Sequence, residues 1–288
     1  MKNILFLTKG QAEDLVAQKI AKQLHSQAEI FFHQPDKEVQ ITFDLVIVLG
    51  DLISIIRAVN TKAPFIYIGV NKSSYSRPYN FIEKGLLQAF ARKVFVKDRL
   101  TEIELKTHGI RIPAAEYAGN PIMDCLPPDF VRQKSLSPRL ITIGFLSKSN
   151  YNFDKISRQI LKLQNHRDLE IRFISAKEPA KVLAEADLVI GLSPIENEQA
   201  AGLGIPVISF YGWDVPLSRR TAEEQKKLLG EANSLIRDDD PIQIAAEVWY
   251  LLRKPEKMKI MGRIGTERVG EAGAIPKITD YIIKTLNP

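Results

Sequence analysis

Short apolar runs alternate with amphipathic stretches along the first half of the chain. The amphipathic stretches are typical of helices, because Val16, Ile20 and Leu24 recur at four-residue spacing on one face of the first. The apolar runs have the length of strands. Strands are predicted at Asn3–Leu7, Ala28–Phe32, Leu45–Leu49, Phe65–Ile68 and Val94–Val96. Helices are predicted at Ala12–His25, Leu52–Val59 and Arg99–Thr107.

The alternation pauses over residues 126–138, which hold three prolines, and then begins again. Strands are predicted at Leu140–Phe145, Glu170–Ile174, Leu188–Leu192 and Val207–Phe210. Helices are predicted at Asp154–Leu163, Pro179–Glu185, Glu196–Leu203, Thr221–Leu229, Pro241–Leu252 and Ile275–Leu286. We therefore predict an α/β fold of two doubly wound, Rossmann-like parallel-sheet domains that face one another across a cleft. The predicted domains are 1–133 and 139–288, with the last helix as a candidate to pack back on the first domain.

Length and composition are those of an ordinary globular chain. The 288 residues are 45% hydrophobic and 26% charged, which excludes a disordered protein and allows two domains. No apolar run approaches the ~20 residues of a membrane-spanning helix, and the first residues indicate a strand rather than a signal peptide. A single cysteine, Cys125, cannot form an intramolecular disulfide and is typical of a reducing compartment. We therefore expect a cytoplasmic protein.

The chain is basic overall, with a net charge of +6 and a pI near 9.2. Lys and Arg are denser at 92–93, 97–99 and 253–259. Two interpretations stay open: a solvated, mildly basic surface, or attraction to anionic lipid headgroups. Nucleic acid is not expected as a partner, because these patches contain few aromatic residues and no helix-turn-helix or RNA-binding signature is present.

The segment 186–230 points to a nucleotide ligand. It is predicted to form a strand, a turn, a helix and a second strand. In doubly wound sheets ligands bind outside the carboxyl ends of the strands, where helix N-termini attract phosphate. Glu196 or Glu198, near the start of the helix, is placed to accept hydrogen bonds from sugar hydroxyls. The segment therefore predicts half of a nucleotide-sugar site.

Eight motifs occur in an order that resembles one protein family. They are KGQAEDLVA (9–17), GDLISIIRA (50–58), KSSY (72–75), VFVKDRLTEIEL (94–105), AGNPIMD (118–124), ENEQAAGLGIPVISFYG (196–212), AEEQKKLLG (222–230) and GTERVGEAGA (265–274). Together they resemble the lipid-A-disaccharide synthase-related proteins, a branch of the two-domain GT-B glycosyltransferases. The resemblance spans nearly the whole chain.

The resemblance implies a hexosyltransferase that binds a UDP-sugar donor as its substrate and requires no cofactor. The nucleotide sugar would bind the second domain and the acceptor the first. A lipid-linked acceptor at the inner face of the membrane is one option. Matching motif positions imply ligand-binding roles for Gly10, Gln11, Lys72, Asn120, Lys148, Glu196, Glu198 and Gln225.

Several of these residues also have simpler interpretations. Lys148 stands where the family often places an Arg against the diphosphate, but it is equally an ordinary loop lysine. Gln225 matches a family residue that contacts the donor sugar, and it is equally an exposed helix residue. Asn120 precedes a proline, and Asn-Pro favours a turn in many proteins.

The general base for an inverting sugar transfer is not evident. The family carries a His where Gln11 stands and an acid near Ser74, where none occurs, and no His of this chain lies in a motif loop. The candidate bases are therefore two carboxylates, Asp51 and Glu13. Asp51 is also a good N-cap for the helix that follows it. No metal site is expected, since the aspartates at 238–240 are typical of a loop and helix cap.

These departures leave two other functions open, and whether the chain is an enzyme stays uncertain at this point. The first is a non-catalytic nucleotide-sugar-binding or regulatory protein on the same scaffold. The second is a nucleotide-sugar epimerase, because the sequence GNP at 119–121 also resembles that group.

Overall fold

The computed structural model describes residues 2–32, 42–133, 137, 139–147, 149, 151–164 and 169–287. The chain divides into two compact units. The first unit comprises Met1–Cys125 and Glu271–Pro288, and the second comprises Leu126–Gly270. These limits differ from the predicted 1–133 and 139–288.

Hydrogen bonds explain where the chain passes from one unit to the other. Arg132 donates to the carbonyl oxygens of Leu183 and Ala186, both at 2.7 Å, which ties the segment after Cys125 to the second unit. At the other end, the Asp124 carboxylate accepts from the amide of Ile275 at 2.8 Å, which ties the last segment to the first unit. The proline-rich stretch therefore belongs to the second unit rather than to the first.

The first unit contains one parallel sheet in the order β2-β1-β3-β4-β5-β6 among the described residues. Its strands are β1 (Lys2–Leu7), β2 (Ala28–Phe31), β3 (Leu45–Val48), β4 (Phe65–Ile68), β5 (Ala91–Val96) and β6 (Ala115–Tyr117). Its helices are α1 (Gln11–Leu24), α2 (Leu52–Asn60), α3 (Phe81–Phe90), α4 (Arg99–Thr107) and α11 (Ala274–Leu286). Strands β3 and β4 are buried at every position, as expected for a sheet covered on both faces.

The second unit repeats this plan with a parallel sheet in the order β11-β10-β9-β7-β8, again counted over the described part of the chain. Its strands are β7 (Leu140–Leu146), β8 (Glu170–Ser175), β9 (Leu188–Gly191), β10 (Val207–Phe210) and β11 (Asn233–Ile236). Its helices are α5 (Asp154–Lys162), α6 (Pro179–Glu185), α7 (Pro194–Gly202), α8 (Arg219–Leu229), α9 (Pro241–Leu252) and α10 (Pro255–Val269).

Each sheet reverses its winding direction at its first strand. In the first unit β1 lies between β2 and β3, and in the second unit β7 lies between β8 and β9. The loops after β1 and β3, and those after β7 and β9, therefore flank a topological switch point, where doubly wound proteins bind their ligands. The predicted fold class, two doubly wound parallel sheets, is confirmed.

Helix length also bears on the membrane question. No helix in the described ranges is both long enough and apolar enough to cross a bilayer.

Candidate functional site

At the switch point of the first unit, both oxygens of the Asp51 carboxylate accept hydrogen bonds from neighbouring groups. Its Oδ1 accepts from the amides of Ile53 at 3.2 Å and Ser54 at 3.4 Å, which caps α2. Its Oδ2 accepts from Lys9 Nζ. Burial raises the pKa of Asp51, but the hydrogen bonds from Lys9 and the Ser54 amide and the charge of Lys9 outweigh it, so the pKa is lowered. Both oxygens of this carboxylate already have partners.

Glu13 lies at the same switch point, in the first turn of α1, and differs from Asp51. Glu13 is only 5% exposed, and its Oε2 has no hydrogen-bond partner within the described ranges. Gly10 makes room for this carboxylate, because a Cβ at Gly10 would lie only 2.7 Å from Oε2. Gln11, where the family has a His, is exposed at the first position of α1. Of the two candidate bases, Glu13 is the one with an open oxygen.

Lys72 is held by its own unit. Its Nζ lies 2.7 Å from the Glu83 carboxylate and 5.6 Å from the centre of the Tyr79 ring. Glu83 also accepts from the Asn80 amide at 2.9 Å, while Asn80 Oδ1 accepts from the Glu83 amide, so the two residues form a capping box at the start of α3. Lys72 therefore neutralises a buried capping carboxylate.

Although no acid neighbours Ser74 in the sequence, the fold brings a carboxylate of α4 into contact with it. The Glu104 carboxylate, on α4, accepts hydrogen bonds from Lys84 at 2.8 Å and from the Ser74 side chain. These bonds, led by the one from Lys84, lower the pKa of Glu104. The Ser74 amide in turn donates to Thr101 Oγ1 at 2.8 Å.

A second buried carboxylate with an open oxygen, that of Asp98, follows β5. Asp98 Oδ1 accepts from the amide and the hydroxyl of Thr101, at 2.8 and 2.9 Å, and thereby caps α4. Its Oδ2 is buried and has no hydrogen-bond partner in the part of the chain that is described. Since β1 and β5 are parallel, Asp98 and Glu13 follow strands that end at the same edge of the sheet. That edge therefore presents two open carboxylate oxygens.

Asn120 is a turn residue. It is fully buried, and its Oδ1 accepts from the backbone amide of Ile122 at 3.0 Å. Its own backbone amide donates to the Glu271 carbonyl at 2.8 Å. The simpler interpretation of the Asn-Pro sequence therefore accounts for these contacts.

At the switch point of the second unit, two glutamates occupy different environments on α7. Glu196 is half-buried and accepts a hydrogen bond from the Ser193 hydroxyl, just before the helix. The Ser193 side chain forms no cap hydrogen bond to the α7 backbone, and an uncapped helix start of this kind favours anions. Glu198, two residues further along α7, is buried.

Gln225 is buried rather than exposed, and it joins α8 to α7. Its Oε1 accepts from Asn197 Nδ2 at 2.9 Å, and its Nε2 donates to the Pro194 carbonyl at 2.7 Å. Asn197 Nδ2 also donates to the Gly191 carbonyl at 3.0 Å, where β9 ends. Both the oxygen and the nitrogen of the Gln225 side-chain amide are thus bonded inside the unit. Together with the bond from Asn197 to Gly191, these bonds fix the start of α7 against the end of β9.

Sequence reasoning missed two features of α8 and the loop before it. Arg219 and Arg220 lie in the first turn of α8, where the helix dipole disfavours cations and favours anions. A pair of arginines at a helix start is the signal that would have identified them. Trp213, in the preceding loop, is 97% exposed and offers a face for stacking. Lys148, the predicted diphosphate ligand, lies outside the described residues.

A pocket of about 860 Å³ opens at the carboxyl edge of the second sheet, between the loops after β7, β10 and β11. Its size is that of a small-molecule site. Its lining includes Tyr151, Lys155, Asp214, Asp238, Asp239 and Asp240. Burial, then the charges of Asp239 and Asp214, raise the pKa of Tyr151. The aspartates would repel a pyrophosphate, so this pocket does not suit the diphosphate of a nucleotide sugar.

No group of three or more His, Cys, Asp or Glu side chains is placed to hold a metal ion in the described part of either unit.

Comparison with known proteins gives structural neighbours only. No family model and no curated protein matches the chain. MurG of Acinetobacter baumannii matches with a TM-score of 0.62 and 14% identity, over 99% of this chain and 100% of that one. CalG4, the calicheamicin glycosyltransferase, matches with a TM-score of 0.60 and 11% identity, over 100% and 98% of the two chains.

A third neighbour contains a nucleotide sugar. UDP-GlcNAc 2-epimerase from Neisseria meningitidis, bound to UDP-GlcNAc, matches with a TM-score of 0.58 and 13% identity, over 99% of this chain and 100% of that one. At these identities the likeness concerns the fold. The chain therefore has the two-domain fold of GT-B proteins.

Proposed function

We propose that the protein is a glycosyltransferase of the GT-B type that uses a UDP-sugar donor. The observation that carries this proposal is the fold match over 99% of the chain to a structure bound to UDP-GlcNAc. The calicheamicin glycosyltransferase, matched over 100% of the chain, supports transfer as the reaction. We assign the chain to the lipid-A-disaccharide synthase-related branch on its eight ordered motifs, with a lipid-linked acceptor.

In this proposal the second unit binds the nucleotide. The uncapped first turn of α7 offers amide donors to the diphosphate, and Arg219 and Arg220 add positive charge. Glu198, buried on α7, accepts hydrogen bonds from the ribose hydroxyls. Gln225 acts indirectly, because its bonds to Asn197 and to the Pro194 carbonyl hold α7 in place.

The first unit supplies the base. The acceptor hydroxyl gives its proton to the open Oε2 of Glu13, and its oxygen forms a bond to the anomeric carbon of the donor. The bond from that carbon to the UDP oxygen breaks, and UDP leaves with the electron pair. Arg219 and Arg220 stabilise the developing charge on the diphosphate. Asp51 holds its helix and Lys9 instead of taking part.

Calorimetric titration with UDP and UDP-GlcNAc tests the binding step. We expect measurable heat, with Glu198→Ala weakening UDP binding at least tenfold while the melting temperature stays close to that of the wild type. Glu256→Ala, at an exposed position on α10, is the matched control and should bind UDP as the wild type does. No heat at millimolar UDP would end the proposal.

Measuring turnover of UDP-GlcNAc distinguishes a glycosyltransferase from two alternatives, a non-catalytic binding protein and an epimerase. Gln11 stands where the family has a His, and the Asp51 carboxylate is bonded to Lys9 and to its own helix, which favours a binding protein without catalysis. Release of UDP from UDP-GlcNAc in an acceptor screen would reject that alternative. An epimerised sugar formed without any acceptor would instead identify an epimerase.

A further inference from the structure

One buried carboxylate at the carboxyl edge of the first sheet has no part in the proposed transfer, that of Asp98. The residue is only 4% exposed. Its Oδ1 accepts two hydrogen bonds from Thr101, whereas its Oδ2 has no partner among the described residues. An ionised carboxylate oxygen can only accept hydrogen bonds, and burying one without a donor is costly. The Oδ2 atom therefore needs a donor that the described residues do not supply.

Polar side chains of the neighbouring elements do not fill this position. Arg99, the first residue of α4, lies 5.2 Å from the centre of the Tyr117 ring. Lys84, on α3, pairs with a carboxylate of α4 at 2.8 Å. Burial, and to a smaller extent the charge of Asp98, raises the pKa of Tyr79 well above its usual value, yet the Tyr79 hydroxyl does not donate to Oδ2. The open oxygen is thus left for a group that binds from outside.

Asp98 lies close to the surface, at the edge that also holds the proposed base. The two residues that follow it, Arg99 and Leu100, are exposed. Asp98 follows β5 and Glu13 lies in the helix after β1, so both lie at the carboxyl edge of one parallel sheet. Strands β3 and β4 lie between β1 and β5, and a spacing of ~4.8 Å per strand separates these two strand ends by ~14 Å. A ligand that contacts both carboxylates must therefore cross three strand spacings.

We infer that Asp98 Oδ2 binds a hydroxyl group of the sugar acceptor and thereby selects the acceptor whose reacting hydroxyl meets Glu13. The inference rests on the proposed function, in which the acceptor binds the first unit. A sugar hydroxyl supplies the donor that the open oxygen requires. Because ~14 Å is longer than one hexose ring, an acceptor that contacts both carboxylates contains at least two linked rings. Asp98 thus determines specificity for an oligosaccharide over a monosaccharide.

Two substitutions separate ligand binding from the capping of α4. Asp98→Asn keeps an oxygen that can accept from Thr101, since Asn is as good an N-cap as Asp, but it replaces Oδ2 by a donor. Asp98→Ser also keeps a capping oxygen and removes Oδ2 altogether. Both variants should melt close to the wild type. The matched control is Asp44→Asn, the same chemical change at the opposite, amino edge of the sheet, where Asp44 accepts from the Asn3 amide at 2.9 Å.

Calorimetric titration with N-acetylglucosamine and with its β-1,4-linked trimer, in the absence of nucleotide, tests the inference. The wild type should bind the trimer about tenfold more tightly than the monomer, because only the trimer reaches both carboxylates and gains a hydrogen bond to a charged oxygen. Asp98→Asn and Asp98→Ser should each lose that advantage and bind both saccharides alike. Asp44→Asn should retain the advantage of the wild type.

Several outcomes would overturn the inference. Unchanged trimer affinity in both Asp98 variants would show that Oδ2 is filled by a structural water instead of a ligand. Equal affinity of the wild type for the two saccharides, or no binding of either, would also overturn it, as would an equal loss in the Asp44 control. Because nucleotide is absent, a protein that binds UDP but neither saccharide loses this inference alone. A protein that binds the trimer but not UDP loses the proposed function instead.

Discussion

The two switch points share a topology but differ in how their polar groups are used. In the first unit, Glu13 and Asp98 each keep a buried carboxylate oxygen without a partner in the described residues. In the second unit, the side-chain amides of Asn197 and Gln225 bond to one another and to the backbone at Gly191 and Pro194, and the one oxygen of this pair without a partner in the described residues, Asn197 Oδ1, is neutral. The open acceptors of the first edge are therefore charged carboxylate oxygens, whereas the second edge holds a cross-bonded amide framework with one open, neutral oxygen.

This difference indicates that the two units have different functional roles. A buried carboxylate oxygen is costly to leave unpaired, so its presence at a ligand-binding edge points to a proton or hydroxyl that a substrate provides. A cross-bonded amide pair fixes backbone positions, which suits the orientation of a nucleotide against the start of α7. The difference supports our proposal, in which the first unit takes the proton and the second positions the nucleotide.

The largest effect should come from Glu13→Gln. An amide cannot take the acceptor proton, so we expect the rate of UDP release from UDP-GlcNAc with acceptor to fall about a thousandfold. Binding of UDP should be unchanged, because the second unit holds the nucleotide in our proposal. Steady-state kinetics and calorimetry on one preparation measure both. A variant that keeps more than a tenth of the wild-type rate would show that Glu13 is not the base.

The next largest effect should come from Gly191→Ala, which tests the framework of the second unit. A Cβ at Gly191 would lie 1.7 Å from Asn197 Oδ1, so Asn197 would have to move and its bonds to Gln225 and the Gly191 carbonyl would be disturbed. We expect a loss of about 3 kcal/mol in the free energy of unfolding, measured by urea denaturation.

Gly85→Ala is the matched control for that substitution. Nothing lies within 4 Å of a Cβ at Gly85, inside α3. Alanine should therefore stabilise the protein by about 0.5–1 kcal/mol through its higher helix propensity. If both substitutions changed stability by the same amount, close packing around Asn197 would not be the cause.

The smallest effect should come from Asp51→Ala, which removes a cap and a partner of Lys9. At pH 7 we expect a loss of about 1 kcal/mol in the free energy of unfolding. Because the pKa of Asp51 is lowered in the folded state, its contribution is present above the usual value of 3.8 and is lost as the pH falls through the folded pKa. Urea denaturation at pH 7 and pH 3 should show the gap between wild type and variant closing in acid.

The same variant also sharpens the distinction between the two candidate bases. UDP release by Asp51→Ala should stay within a few-fold of the wild-type rate. A loss as large as that expected for Glu13→Gln would transfer the role of base to Asp51.

Much of the fold could be predicted from periodicity. The bounds of Phe65–Ile68, Arg99–Thr107, Pro179–Glu185 and Pro241–Leu252 were predicted to the residue, because apolar spacing and flanking Pro, Asp or Gly mark them. Strands Ala115–Tyr117 and Asn233–Ile236 and helices Phe81–Phe90 and Pro255–Val269 were missed. The strands are short and partly polar, and both helices contain internal glycines.

Less of the candidate site than of the fold could be predicted from the sequence. Motif order pointed to loops that the structure places at the two switch points, because the position of such loops follows from strand order. Side-chain partners could not be predicted, because they come from distant parts of the chain. Lys72 meets Glu83, Ser74 meets Glu104, and Gln225 meets Asn197. Only the folded arrangement distinguishes Glu13, with its open oxygen, from the fully bonded Asp51.

The return of Glu271–Pro288 to the first unit has a consequence for biosynthesis. Helix α11 packs on α1, and Lys277 donates to the Ala118 carbonyl at 3.1 Å, so the earlier-translated unit lacks a structural part until α11 leaves the ribosome. The second unit is continuous in sequence and is available to fold sooner. We therefore expect the second unit to complete its fold before the first, the reverse of the usual co-translational order from the amino terminus onwards.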